Sequence, residues 1–224
     1  MSLHPARRPE LAALPVDVAP LLLGGILRTI VDGDEVAVRL TEVEAYHGRG
    51  TGTVADPGSH ARMGPTPRNA TMWGDPGHLY VYLSHGIHSC VNIVCGPAGT
   101  AGGVLLRAGE IVEGTDAAFR RRPTARTPRE LARGPGRLGS AVGLRHPIHD
   151  GLDAVDGSAQ DGAVARLWLR DEPHAAIAAG PRVGVAGTAG TAVFPWRFWI
   201  EGDPTVSPFR WGRGAEAAST AVLD

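Results

Sequence analysis

The chain has 224 residues, of which 43% are hydrophobic and 20% charged, and its formal net charge is −1. This length and balance suit one soluble domain with a proper core, and they exclude a chain that is disordered throughout. All 22 basic residues are arginine. Because lysine is absent, chemistry that needs a lysine amine, such as a Schiff base or a P-loop, is excluded.

The charge is distributed unevenly along the chain. Residues 1–106 carry a net charge of −2, residues 107–145 carry +5, and residues 146–224 carry −4. A basic stretch between acidic ends fits a phosphate-binding face. It also fits a solvated helix surface, and the charge distribution alone favours this second interpretation.

Cysteine usage and the distribution of apolar residues indicate the cellular compartment. Cys90 and Cys95 have poor spacing for zinc, and we expect them to be buried free thiols. Prolines and Asp17 interrupt the first apolar run, and no stretch approaches the ~18 apolar residues of a membrane span. The sequence therefore predicts a cytoplasmic protein, without a membrane contact.

The first half of the chain predicts a flexible leader and then a few regular elements. The leader covers residues 1–15, and a short helix is expected over Val16–Leu27. Alternation of apolar and polar residues predicts a strand over Val36–Tyr46. Residues 47–78 read as a long loop, and loops of this length inside a domain are usually functional or disordered.

The second half predicts several short strands and one helical stretch. Strands are expected over Leu79–Leu83, Ile87–Val94, Gly103–Ala108, Ala165–Arg170, Arg182–Val185 and Phe198–Glu201, with helices in Asp116–Gly143. Ser84–Gly86 reads as a hairpin turn. The predicted fold is a single α+β domain (residues 16–210) with a mixed, mostly antiparallel sheet, surrounding helices, a protruding β-hairpin and a loose tail over 211–224.

Two carboxylates at the end of the first strand are candidates for a general base. Period two predicts that the apolar face of Val36, Val38 and Leu40 continues into Glu42 and Glu44. A carboxylate at a core edge is partly desolvated, which raises its pKa and suits it to accept a proton. A structural ion pair with arginine is an equally good interpretation, and strand parity does not separate the two residues.

Aromatic and imidazole side chains follow the same strands. Tyr46, Tyr82 and His60 could enclose a flat ligand such as a nucleobase, whereas Tyr80 reads as cross-strand packing. The nine histidines form no metalloprotease or deaminase motif, so no metal site is predicted.

Six ordered blocks of the sequence resemble the alkyladenine (3-methyladenine) DNA glycosylase family. They are Thr41–Tyr46 with His60, Thr66–Asn69, Leu79–Leu83 with Asn92, Val104–Arg107, Gly134–Leu138, and Arg182–Val185 with Pro195–Phe198. The similarity runs from about Leu21 to Ser207, which is nearly the whole chain.

The resemblance implies a monofunctional enzyme that needs no metal or cofactor and acts as a monomer on double-stranded DNA. It would flip alkylated or deaminated purines (the 3-methyladenine, 7-methylguanine and hypoxanthine class) from the duplex and hydrolyse the N-glycosidic bond. The product would be an abasic site for base excision repair, without AP-lyase cleavage. Such a protein would associate with the nucleoid through DNA.

The resemblance also implies a role for individual residues. Glu44 would activate the attacking water, with Arg107 beside it. The implied base-binding residues are Tyr46, His60, Tyr82 and Asn92, and the implied DNA contacts are Arg68, His85 and Arg137.

His85 departs from the family pattern, which often has an aromatic residue at the hairpin tip as a wedge. An imidazole can intercalate, but it buries less apolar area than a phenol ring. The alternatives are a non-catalytic nucleic-acid-binding homologue, a nucleoside hydrolase and a nuclease. Retention of Glu44, Tyr46, His60 and Asn92 together argues against the first of these.

Overall fold

The longest strand, β3 (Asp34–His47), organises the computed structural model, which describes residues 2–221. It pairs with β2 (Ile26–Val31), β6 (Gly102–Glu113) and β9 (Arg197–Ile200), each in antiparallel register. β3 contains three valines, and β-branched residues pack well on a pleated surface. β3 therefore lies in the middle of the sheet, with neighbours on both edges.

The other strands extend this sheet on either side. They are β1 (Leu3–Pro5), β4 (Leu79–Ser84), β5 (His88–Val94), β7 (Ala163–Arg170) and β8 (Ile177–Gly180). The strand order is β1-β7-β2-β3-β6-β5-β4, and β9 pairs with both β3 and β8. The prediction of an α+β fold with a mostly antiparallel sheet is confirmed.

Five helices accompany the sheet in residues 2–221. They are α1 (Arg8–Leu11), α2 (Pro15–Leu22), α3 (Thr115–Arg121), α4 (Pro135–Ala141) and α5 (Ala215–Ala221). Helices α2, α3 and α4 pack on one face of the sheet and bury the main apolar core with it. No helix in this part of the chain is long and apolar enough to span a bilayer.

A pair of β-bulges changes the direction of the side chains of β3. The register with β6 skips Thr41 on β3 and then Arg107 on β6. Val36, Val38 and Leu40 face the main core, but beyond the bulge the core-facing residues are Val43 and Ala45. An extra residue in a strand reverses the alternation of its side chains.

The predicted continuation of the apolar face into Glu42 and Glu44 is therefore wrong. The bulge places both carboxylates, with Tyr46, on the opposite face of the sheet. On that face a smaller cluster of Met72, Tyr80 and neighbouring residues lies beneath the loop of residues 47–78. The long loop thus covers the face that carries the candidate catalytic residues.

Several predicted boundaries need correction. The segment predicted as a flexible leader contains β1, which pairs with β7, and α1. The predicted tail contains α5, although Met1 and residues 222–224 lie outside the described residues. The helix expected over Val16–Leu27 ends at Leu22, because Gly24 adopts a positive φ of 78° and β2 begins at Ile26.

The strand predicted over Arg182–Val185 is also wrong, because this segment forms a turn. Pro181 lacks an N–H donor, and Gly184 has a φ of 73° that is incompatible with a strand. The prediction of buried free thiols is confirmed for Cys90 and Cys95.

Candidate active site

The carboxylate of Glu42 is fully occupied by structural partners. Its Oε1 accepts hydrogen bonds from Arg107 Nε (3.0 Å), Arg197 Nε (2.7 Å) and Ser207 Oγ (3.0 Å). Its Oε2 accepts a further bond from the Ser207 N–H (2.7 Å). Glu42 is completely buried, so these donors compensate for its desolvation. The network ties β3, β6, β9 and the chain at Ser207 together.

Glu44 is equally buried but has fewer partners. Its Oε1 accepts a hydrogen bond from the Val183 N–H at 2.6 Å. Its Oε2 accepts one from the Tyr46 hydroxyl at 2.8 Å and a long one from Arg107 Nη1 at 3.4 Å. Tyr46, Arg107 and Val183 line the adjoining cavity, whereas Glu44 does not. The carboxylate thus lies one hydrogen bond behind the cavity wall.

Arg107 connects the two carboxylates. It occupies the bulge position on β6, which directs its guanidinium toward Glu42 and Glu44, and its Nη2 also donates to Ser207 Oγ at 3.3 Å. Burial lowers the pKa of Arg107, but Glu44 and Glu42 raise it by more. Arg107 therefore stays charged and forms an ion pair with both carboxylates.

The ring of Tyr46 lies between the cavity and a buried cation. The Arg182 guanidinium carbon lies 4.5 Å from the centroid of the Tyr46 ring, within the range of a cation–π contact. Burial and the nearby Glu44 carboxylate raise the pKa of the Tyr46 phenol well above its usual value. The hydroxyl therefore remains protonated and donates to Glu44.

A buried ion pair holds Arg182 in place. Its Nη1 and Nη2 donate to the Asp56 carboxylate at 2.8 and 2.7 Å, and both residues are buried. Arg182 also donates to the backbone carbonyls of Ala45 and Ala189. Sequence reasoning gave neither Asp56 nor Arg182 a role. The available signal was a carboxylate, Asp56, in the long loop and an arginine directly before Val183.

The cavity has a volume of about 540 Å³ and is lined by aromatic rings. Tyr46, His60, Tyr80 and Tyr82 all contribute to its wall, so the predicted grouping of Tyr46, His60 and Tyr82 occurs in the structure. The His60 and Tyr82 rings meet edge to face, with centroids 4.6 Å apart. Burial lowers the pKa of His60, with a smaller contribution from Arg68 and Arg62. The imidazole is therefore neutral at pH 7.

Two asparagines fix the backbone around the cavity. Asn92, on β5, lines it and donates from Nδ2 to the Tyr80 carbonyl at 3.0 Å. Asn69 lies beneath the loop and donates to the carbonyls of His60 (3.0 Å) and Gly64 (3.3 Å). Asn69, to which the sequence blocks assign no role of its own, thus positions the segment that carries His60.

The β4–β5 hairpin projects beside the cavity. His85 and Gly86 at its tip have positive φ values of 51° and 70°, and the Ile87 N–H donates to the Ser84 carbonyl at 3.0 Å. This left-handed pair matches the twist of the strands and sets the tip outward. His85 and Ile87 are exposed, Ile87 to 72%, and Arg68 donates to the Leu83 carbonyl at 3.0 Å.

The basic stretch predicted from the sequence forms a concave surface next to the hairpin. Arg122, Arg126, Arg133 and Arg137 line it together with Glu130. Burial lowers the pKa of Arg122, and Arg137 lowers it further by like-charge repulsion. An anion bound here would relieve that repulsion. Arg137 is thus exposed near the hairpin, as the prediction of a backbone contact requires.

Comparisons with known sequences agree on one family. A sequence profile of the family described as methylpurine-DNA glycosylase (MPG) matches residues 10–204. A protein from Nocardia farcinica is 50% identical over 213 residues, with 94% of each chain covered. One from Streptomyces avermitilis is 50% identical over 203 residues, with 90% of each covered, and one from Leifsonia xyli is 48% identical over 213 residues.

Each of these three relatives bears the name "Putative 3-methyladenine DNA glycosylase". The Leifsonia xyli match covers 91% of this chain and 92% of the relative, so all three alignments include nearly the whole fold. The profile and the relatives match most of the described domain and not an isolated motif. The chain therefore belongs to the methylpurine-DNA glycosylase family.

Proposed function

We propose that the protein is a monofunctional DNA glycosylase that removes alkylated or deaminated purines from double-stranded DNA. The observation that carries the proposal is the contact between Glu44 and Tyr46 on β3. Tyr46 lines an aromatic cavity of about 540 Å³, and its hydroxyl donates a hydrogen bond to the Glu44 carboxylate behind the cavity wall. The reaction is hydrolysis of the N-glycosidic bond, and the product is an abasic strand for base excision repair.

The cavity would receive a base that has been flipped out of the duplex. Tyr46 would stack on one face of the purine, supported from behind by Arg182, while His60 and Tyr82 form the opposite wall. Asn92 would crowd the 2-amino group of a normal guanine. Flat aromatic walls bind any purine face, so selectivity comes from the edge contacts and from how easily the base leaves.

Bond cleavage would use the polar groups at the base of the cavity. Breaking the glycosidic bond develops positive charge on the sugar, which a nearby carboxylate stabilises. Glu44 would also take a proton from the attacking water, and Arg107 and the Val183 N–H fix its carboxylate in position.

The absence of lysine supports a monofunctional reaction. A bifunctional glycosylase attacks the sugar with an amine, and this chain has no lysine to supply one. Water is then the nucleophile, and strand cleavage by an imine intermediate is not expected.

The proposed enzyme works as a monomer and would bind the DNA of the nucleoid.

The hairpin and the arginine surface would hold the distorted duplex. His85 and the exposed Ile87 would enter the space left by the extruded nucleotide, since flat and apolar side chains can replace stacked bases. Arg68 and Arg137 would contact phosphates, for which the guanidinium fork is well suited.

The test is release of a modified base from a defined duplex in EDTA. We expect the protein to free 3-methyladenine and hypoxanthine and to leave an alkali-labile abasic site. Glu44→Gln should lose this activity while it still binds the lesion duplex. Binding without base release by the wild-type protein would instead identify a non-catalytic homologue, and release from free nucleosides alone would exclude DNA as the substrate.

A further inference from the structure

A short exposed segment, Phe209–Arg213, follows Ser207, and the ring centroid of its first residue, Phe209, lies 5.8 Å from the guanidinium carbon of Arg197, which bonds to Glu42. Ser207 bonds to Glu42 and Arg107, and the chain then emerges with the sequence Phe-Arg-Trp-Gly-Arg. The segment lies beyond residues 10–204, the part matched by the family profile. Neither the sequence blocks nor the proposed mechanism gives it a role.

The segment combines aromatic and basic side chains. Phe209 and Trp211 are each 38% exposed, and their rings meet edge to face with centroids 4.8 Å apart. Arg210 and Arg213 are exposed, and within residues 2–221 neither forms a salt bridge with a carboxylate. Exposed aromatic rings that alternate with arginines are typical of surfaces that bind nucleic acid strands.

The segment lies against the rim of the cavity. The Gly184 N–H donates to the Arg210 carbonyl at 2.9 Å, and the Gly187 N–H donates to the Arg213 carbonyl at 3.0 Å. Gly184, Val185 and Ala186 line the cavity. A Cβ on Gly212 would lie 2.1 Å from the Val185 carbonyl oxygen, so glycine is required for this close approach.

The backbone of the segment is held at both ends although its side chains are exposed. Before it, the Val206 carbonyl accepts a bond from Arg133 Nε at 2.9 Å, and the Ser207 carbonyl accepts one from Arg197 Nη2 at 3.1 Å. Beyond it, Ala215 is buried against Gly190. A surface fixed in this way loses little conformational entropy when it binds a partner.

The position of Arg133 connects the segment to the arginine surface described above. Arg133 belongs to that surface and also bonds to Val206, so the chain runs from the arginine surface to the cavity rim. One acidic residue on each side of the segment is near it in sequence. Asp203 is paired with Arg39, and Glu216 follows the segment on α5.

We propose that Phe209–Arg213 is a second DNA-binding element that grips the damaged strand beside the extruded nucleotide. The inference rests on the proposed function. Gly184–Ala186 form one side of the cavity that would receive the nucleotide, and this segment lies against them, so a strand that enters the cavity from this side passes over the segment. Arg210 and Arg213 contact phosphates of that strand, and Phe209 and Trp211 pack on the neighbouring sugar or base.

The experiment measures binding to a duplex with a tetrahydrofuran abasic analogue, by fluorescence anisotropy over a series of salt concentrations. We expect the Phe209→Ala/Trp211→Ala variant to raise Kd by about 5- to 100-fold, as removal of a stacking side chain does. Arg210→Ser/Arg213→Ser should flatten the slope of log K against log salt by about 2, one unit for each phosphate that is no longer bound. Phe209→Tyr/Trp211→Phe should restore the wild-type affinity.

Matched controls test whether the effect is local. Ile30 is also 38% exposed but lies on β2, opposite Glu35 at the far end of β3 from Tyr46, and Arg7 is an exposed arginine next to α1. Ile30→Ala and Arg7→Ser should leave both Kd and the salt slope unchanged. Equal losses of affinity in the controls and in the segment variants would overturn the proposal.

Two further outcomes would also overturn it. Unchanged Kd and salt slope in both segment variants would show that the strand does not contact Phe209–Arg213. If the wild-type protein sediments as a dimer and the aromatic variant as a monomer with unaltered DNA affinity, the segment is an interface between copies of the chain. Base release by the wild-type protein is measured separately, so failure of this proposal is distinguishable from failure of the glycosylase assignment.

Discussion

Glu42 and Glu44 lie two residues apart on the same face of β3, and both are completely buried, but Glu42 has more hydrogen-bond donors and only one of its donor residues lines the cavity. Four hydrogen bonds from Arg107, Arg197 and Ser207 reach Glu42. Glu44 shares Arg107 but otherwise bonds to the Val183 N–H and the Tyr46 hydroxyl, which belong to the cavity wall. This difference supports a structural role for Glu42 and the proposed catalytic role for Glu44.

We therefore expect opposite effects from the two glutamine variants. Glu42→Gln leaves the buried Arg197 without a carboxylate partner among the described residues and Arg107 with only its long contact to Glu44, so it should lower the free energy of unfolding by about 3–5 kcal/mol. Glu44→Gln should lower the single-turnover rate of base release by at least about 100-fold, as loss of a general base does. Urea unfolding and single-turnover kinetics check the pair, and full activity in Glu44→Gln would disprove its assignment.

The contact between Arg182 and Tyr46 leads to a second prediction. Asp56→Asn removes the charge partner of the buried Arg182 and should cost about 3–5 kcal/mol, because an unpaired charge then remains inside the protein. Asp56→Asn/Arg182→Met removes both charges and should be more stable than Asp56→Asn alone. Thermal unfolding of the two variants and of Arg182→Met completes the cycle.

The affinity for the base should still be lower in Asp56→Asn/Arg182→Met than in the wild type, because Tyr46 then lacks the Arg182 cation behind its ring. We expect a weaker affinity for the lesion duplex together with restored stability. If stability returns and affinity is unchanged, the guanidinium serves only to hold the loop at Asp56.

Much of this site could be predicted because its residues lie in compact sequence blocks, but their placement depended on a bulge that no periodicity reveals. The parity of Val36–Leu40 predicts that Glu44 continues the main core face, whereas the extra residue at Thr41 turns it to the other side. Bulges depend on pairing with β6, which is distant in sequence. The contribution of Val183 to the site could not be predicted either, because its N–H bonds to Glu44, which is distant in sequence.

The hairpin tip leads to a third prediction. His85, the proposed wedge, is smaller than the aromatic residue that the family resemblance implies at this position, but Ile87, two residues further on, is 72% exposed and adds apolar surface. His85→Ala and Ile87→Ser should each weaken binding to a lesion duplex, and the double variant should do so by more than either alone. Cleavage of the same lesion in single-stranded DNA, where no stack is broken, should change much less.

Val54, which is 50% exposed in the loop of residues 47–78, offers an apolar control outside the hairpin. Val54→Ser should leave duplex binding unchanged. Equal losses for His85→Ala on duplex and single-stranded substrates would contradict the wedge and assign His85 to the chemistry or to a strand contact instead.

The last prediction concerns stability and pH, and it follows from His47. The His47 ring is buried, stacks on Trp196 with centroids 4.5 Å apart, and has no hydrogen-bond partner for either ring nitrogen among the described residues. Burial lowers the pKa of His47 below its usual value of 6.5. The folded protein therefore keeps the ring neutral where the unfolded chain begins to bind a proton.

The sign of the effect follows from that difference. The contribution of the neutral His47 ring to the free energy of unfolding is fully present above pH 6.5. It is lost as the pH falls from 6.5 toward the lowered pKa of His47 in the folded state, by up to about 1.4 kcal/mol per pH unit for one proton. Burial also lowers the pKa of His60 and His149, which act in the same direction. His47→Leu should make the free energy of unfolding less dependent on pH between 7.5 and 5.5.

Denaturant unfolding at the two pH values measures this difference directly. Val36→Ala is the control, because a truncated core residue destabilises the protein equally at both pH values. Since His47 lies one residue from Tyr46, base release by His47→Leu should also be measured at pH 7.5, where the native ring is already neutral. The same pH dependence in His47→Leu as in the wild type would mean that His47 binds its proton equally in the folded and unfolded chains.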